Sequence, residues 1–172
     1  MISELEKAIG HLSLLHTHDA LCLRRNAMAM PKLLYILRTS SCSGNNLLKV
    51  FDETLHKGLS SILNVDLSDD QWTQVSLPVH MGGLGVRSAE LLTPSAFLPS
   101  AASNFSLQND IFAGSIQSFI GAYTSDTIVS WKSLSNADFP LELANRYHKL
   151  WDTAVAMSVY DDILSRCSGA PE

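Results

Sequence analysis

A chain of 172 residues is long enough for one domain, or one domain with a small appendage, and for a sizeable core. Charged residues make up 17% of it, against about a quarter in an ordinary soluble domain. Either part of the surface normally faces a partner, or Ser, Thr and Asn take the place of charge there. Cys22, Cys42 and Cys167 are odd in number, widely spaced and without a CxxC pair, which argues against a disulfide framework and a zinc site.

That cysteine usage suits a reducing compartment, so the expected location is intracellular, nuclear or cytoplasmic. The first residues, MISELEKAIGHL, are charged and amphipathic and do not read as a signal peptide. No apolar run approaches the length of a membrane span, so no membrane partner is expected.

The net charge of −5 is unevenly spread. Residues 1–87 carry eight basic and eight acidic side chains, whereas residues 88–172 carry four and nine. Between Ala20 and Val50 stand Arg24, Arg25, Lys32, Arg38 and Lys49, with no acid among them. Such a stretch is either a phosphate-facing surface or a solvated helix face.

Taken in chain order, Ser3-x-x-Glu6 reads as a capping box. Leu5, Ile9, Leu12 and Leu15 follow at helical spacing and predict a first helix to about His16. A second is predicted from about Thr17 to Met28, and Pro31 is placed as the first residue of a third, short one. Ser40 to Asn46 reads as loop. The clearest helix covers about Asn46 to Leu63, where Leu48, Phe51, Leu55, Leu59 and Ile62 form one stripe, weakened slightly by Gly58. Ser68-x-x-Gln71 caps a short helix carrying Trp72 and Val75.

Ser88 then opens a helix that Pro94 and Pro99 are expected to break into two short pieces. Leu107 to Gly121 is predicted helical, followed by a turn or short helix with Ile128 and Trp131. A long final helix is expected from Pro140 through Ile163. No strand alternation appears, so the expected class is all-α, an irregular helical bundle with a Gly-rich connecting loop at 82–85. A soft boundary falls near Ala102–Gln108, dividing a region 1–103 from an acidic extension 104–172.

The run Leu77-Pro78-Val79-His80-Met81-Gly82-Gly83-Leu84-Gly85-Val86-Arg87 is the most informative stretch. Three glycines in four positions lower helix propensity and cost backbone entropy. They are expected where the backbone needs positive φ or approaches something closely.

Three features form a pattern: Met30-Pro31-Lys32-Leu33-Leu34-Tyr35 on a helix, Trp72, and Pro78-x-x-x-Gly82-Gly83-Leu84-Gly85-Val86-Arg87. An Ala-bearing helix follows, with Ala89, Ala96, Ala101 and Ala102. Over about residues 11–103 this resembles the region just after the polymerase core in non-LTR retrotransposon reverse transcriptases. The resemblance implies a thumb-like, connecting segment that packs on the palm and helps hold the template–primer duplex. It also implies that fingers and palm would precede Met1, so no polymerase activity and no cofactor are expected of this chain. Pro99 stands where the family more often has a small helix former.

Other candidates are weaker. Tyr160-Asp161-Asp162 imitates a polymerase carboxylate pair, but Val159 stands at the aromatic position and the segment has helical periodicity. Adjacent helical residues point about 100° apart and cannot clamp a metal together. His16-Thr17-His18-Asp19 lacks the converging ligands of a metal site, so no metal is expected. Gly83-x-Gly85-x-x-Ser88 follows no strand, which argues against a dinucleotide loop. Trp72, Trp131 and Trp151 read as core residues rather than base-stacking platforms.

The candidate nucleic-acid contacts are therefore Arg24, Arg25, Lys32, Arg38 and Arg87. Arg87 precedes Ser88, a candidate N-cap, and amides at a helix start beside an Arg make a phosphate seat. Alternatively Arg87 pairs with Glu90 or Asp70, and the glycines serve helix packing. The expected function is auxiliary contact to an RNA or DNA duplex backbone. The alternative is a helical scaffold for a polymerase core or another protein on an exposed apolar face, or a transposon remnant with no selected function.

Overall fold

A computed structural model of the chain describes residues 2–27, 30–112, 124–137 and 148–168. Among these residues it is all-α. The helices are α1 (Ile2–Leu12), α2 (Thr17–Ala27), α3 (Met30–Thr39), α4 (Asn46–Leu63), α5 (Asp69–Ser76), α6 (Ala89–Ile111), α7 (Ser125–Ser135) and α8 (His148–Ser168), with a 3-10 turn at Val79–Met81. The chain forms two compact units, one of residues 1–34 and 45–90, the other of residues 35–44 and 91–172. Residues 102–108, where composition shifts, lie within α6.

The first unit is organised by α4. Asn45 caps it, its side chain accepting from the Leu47 amide, and Asn64 ends it in the left-handed region at φ 54°. The stripe Leu48, Phe51, Leu55, Leu59 and Ile62 is buried throughout. Each such side chain contributes roughly 1.5–3 kcal/mol when taken fully out of water. Helices α1 and α2 both pack against α4. Ile9 of α1 sits over Gly58, where an added Cβ would overlap its side chain. Gly58 therefore lowers helix propensity and in exchange lets α1 approach closely.

Helix α1 stops four residues before His16. Ser13 and Leu15 turn the chain through backbone bonds to Ile9 and Leu12, and Leu14 is left 83% exposed. Thr17, opening α2, donates to the Ile62 carbonyl at the end of α4. Leu12, Ala20 and Ile62 close this corner as one apolar cluster. Helix α5 begins with the complete capping box of Ser68 and Gln71. Trp72 stacks on His56 of α4 at 5.0 Å, and the His56 ring bonds the Leu67 carbonyl.

The second unit is built on Phe97, Leu98, Ile128, Trp131, Trp151 and Val155. Trp131 and Trp151 meet edge to face at 5.0 Å, a favoured arrangement of ring quadrupoles. The Trp131 indole N–H and the Ser95 hydroxyl both donate to the Trp151 carbonyl. The loop after α3 is tied to α7, because Ser41 and Ser43 both bond the buried Thr127 hydroxyl.

The expected break at Pro94 and Pro99 does not occur: α6 runs unbroken through both prolines. Residues 92–99 are all buried, so packing over two turns outweighs the missing amide bonds. Pro99 cannot donate to the carbonyl of Ser95, four residues earlier. The His148 ring lies near enough to that carbonyl for the carbonyl to favour the ring's charged form. The predicted helical residues 113–121 and 140–147 lie outside the described residues.

Candidate functional site

The glycine block is a tight connector whose amides turn back on the end of α5. Gly83 donates to the Pro78 carbonyl, Leu84 to Val75 and Gly85 to Leu77. The last carbonyls of a helix have no partner within it, and this loop supplies one for Val75 in the last turn of α5 and one for its C-cap, Leu77. Gly82 at φ 83° and Gly85 at φ 71° occupy the left-handed region. At Gly83 the constraint is space: an added Cβ would overlap the Leu77 carbonyl, which is backbone and cannot swing aside. Three glycines are thus required for two distinct reasons, handedness and close approach.

The start of α6, four residues beyond the block, already holds an anion. The Asp52 carboxylate accepts from the Ser88 hydroxyl at 2.6 Å, the Ala89 amide at 2.7 Å and the Glu90 amide at 3.1 Å. The capping acceptor is therefore Asp52 of α4, and Ser88 donates rather than accepts. Burial pushes the Asp52 carboxyl above its usual range, while the Ser88 hydroxyl and the two amides pull it back down. A carboxylate at a helix N-terminus also meets the positive end of the helix dipole. These amides give the block no open phosphate seat. Arg87 beside them is half-buried and engaged with its surroundings.

The other candidate cations differ from one another. Arg24 and Arg25 belong to α2, and their side chains lie outside the described residues. Lys32 lies 3.6 Å from Glu4 with both side chains mostly exposed. Such a surface pair is worth about 0–1 kcal/mol and leaves the ammonium accessible. Arg38, in the last turn of α3, is exposed and forms no ion pair among the described residues. Lys32 and Arg87 belong to the first unit and Arg38 to the second.

Arg38 has a neighbour that sequence spacing does not reveal. Its positive charge, after burial, lowers the His148 pKa from the usual histidine value, and the nearby Ser95 carbonyl partly restores it. The two groups stand 110 positions apart in the chain, and nothing local to either links them. Asp52 was equally hidden: one of two adjacent acids on α4, 36 residues before the hydroxyl it accepts from.

Asp161 and Asp162 are exposed on α8, and Asp162 pairs with Arg166 at 2.8 Å. Among the described residues no three His, Cys, Asp or Glu side chains are grouped to hold a metal ion. Trp131 and Trp151 are 1% exposed core residues. No described helix is long and apolar enough to cross a membrane. No protein-family model, curated protein or solved structure matches the chain.

Proposed function

We propose that the chain is the non-catalytic, post-polymerase part of a retrotransposon RNA-directed DNA polymerase, acting by auxiliary contact to a nucleic-acid backbone and by structural support. The supporting observation is Arg38: an exposed cation with no ion pair among the described residues. It stands in a stretch free of acids from residue 21 to 49. An unneutralised cation attracts phosphate and releases counterions on contact. The Trp72, Pro78 and Gly82–Arg87 pattern supplies the polymerase-related half of the reading. Its glycines carry no chemistry of their own; they set the backbone path between α5 and α6.

The test is fluorescence anisotropy of a labelled RNA–DNA duplex at about 50 mM salt, repeated at rising salt. Binding that weakens with salt is expected, with a log–log slope reduced by about 1 for each phosphate-contacting cation removed. No binding at the lowest salt overturns the reading. Separately, the chain with Mg²⁺, primed template and deoxynucleotides is expected to give no extension.

A scaffold reading has one observation in its favour. Leu150, Met157 and Leu164 recur every seven residues along α8 and are 46%, 43% and 46% exposed, a spacing that keeps them on one helix face.

A further inference from the structure

We propose that the second unit carries a binding pocket for a phosphomonoester, with the phosphate held by Arg38, Ser100 and Asn104 over an apolar floor of Phe97 and Ala101.

The pocket lies between the end of α3, with the loop after it, and the middle turns of α6. It encloses about 430 Å³, within the range of small-molecule sites at roughly 300–1,000 Å³. None of the side chains lining it is acidic. Arg38 brings a guanidinium that no described acid neutralises, and His148 stands close enough to feel its charge. The local field is therefore positive within a chain whose net charge is −5. A lone guanidinium beside neutral donors favours an oxyanion, through charge-assisted hydrogen bonds.

The neutral donors follow from helical spacing. Phe97, Ser100, Ala101, Asn104 and Gln108 recur at three and four along α6 and share one face. The Ser100 hydroxyl has no hydrogen-bond partner among the described residues. Asn104 gives one amide hydrogen to the Ser100 carbonyl at 2.8 Å; its second remains to donate. The guanidinium fork, one hydroxyl and one amide hydrogen outnumber the two oxygens of a carboxylate and suit the three oxygens of a phosphomonoester. Buried Phe97 and the small Ala101 leave apolar surface for the organic part.

This inference stands apart from the duplex reading, because a pocket can take a phosphomonoester whether or not the surface holds a duplex. The test is an NMR titration of the full chain with adenosine 5′-monophosphate, with adenosine as the uncharged control at matched ionic strength. Saturable shifts are expected at the Arg38 side-chain N–H and the Asn104 side-chain amide, and none with adenosine. R38Q should weaken binding by about tenfold or more with an unchanged melting temperature. R38K, which keeps the charge without the fork, should fall between. K132Q, at an exposed position of α7, should bind as wild type. Unsaturable shifts spread over the lysines and arginines would overturn the proposal, as would equal binding by R38Q. Loss of duplex binding with the nucleotide titration intact removes only the duplex reading.

Discussion

Two polar regions of this chain use their charges in opposite ways. At the start of α6 an anion, Asp52, is buried and met by a hydroxyl and two amides of its own unit. At the end of α3 a cation, Arg38, is exposed, faces no acid among the described residues and borders an open pocket. The first arrangement is satisfied internally and serves the fold. The second has bonding capacity left over, which is what a binding site needs.

That contrast can be broken most forcefully at Gly83. Gly83→Ala places a Cβ on the Leu77 carbonyl, and the loop must shift off α5 to accept it. A loss of about 4 kcal/mol or more, or failure to fold, is expected in denaturant unfolding. Gly82→Ala, which meets only the left-handed backbone penalty at φ 83°, should cost about 1–2 kcal/mol. Equal effects would show that handedness alone, and not close approach, demands the glycines.

Asp52→Ala comes next. It leaves the Ser88 hydroxyl and two amides without their acceptor, and should cost about 1–3 kcal/mol. Asp52→Asn keeps one carbonyl oxygen and should lose less. The pH dependence has a definite sign. Burial raises the folded Asp52 pKa above its unfolded value. Its contribution is therefore fully present below the unfolded value and lost as pH rises through the raised folded value. Wild type should gain on Asp52→Asn as pH falls from neutral. A gain for Asp52→Asn instead would mean that the hydrogen bonds outweigh burial.

Arg38→Gln is expected to do the reverse of Asp52→Ala, changing binding but not melting temperature. It should also raise the His148 pKa, by removing the charge that helps lower it; an NMR titration reads this directly. The smallest effect is expected for Lys32→Gln on stability, under about 1 kcal/mol, because its pair with Glu4 is exposed.

Much of the helical layout is legible in local pattern. The α4 stripe, the Ser68–Gln71 box and the bounds of α4 follow from spacing and capping rules, which act over a few residues. Two expectations fail because packing overrides local rules. Pro94 and Pro99 sit inside one helix whose residues 92–99 are buried, and α1 ends early where the chain turns toward α2. The need for glycine at 82–85 is visible in sequence, but not that its amides partner the carbonyls at the end of α5. Asp52 and His148 are invisible to a linear reading because their partners lie 36 and 110 positions away. Arg38 is legible as a basic residue, but only the fold shows that it lines a pocket without acids.

The most direct measurement is anisotropy of a labelled RNA–DNA duplex titrated with wild type, Arg38→Gln and Asp52→Asn, each checked by thermal melting. The expected result is salt-sensitive binding by wild type, weakened about tenfold in Arg38→Gln at unchanged stability, and retained in Asp52→Asn wherever that variant is folded. Binding that is absent in wild type would overturn the duplex reading, and binding that survives in Arg38→Gln while Asp52→Asn abolishes it would contradict the division between an internally satisfied α6 start and an open cationic site at the end of α3.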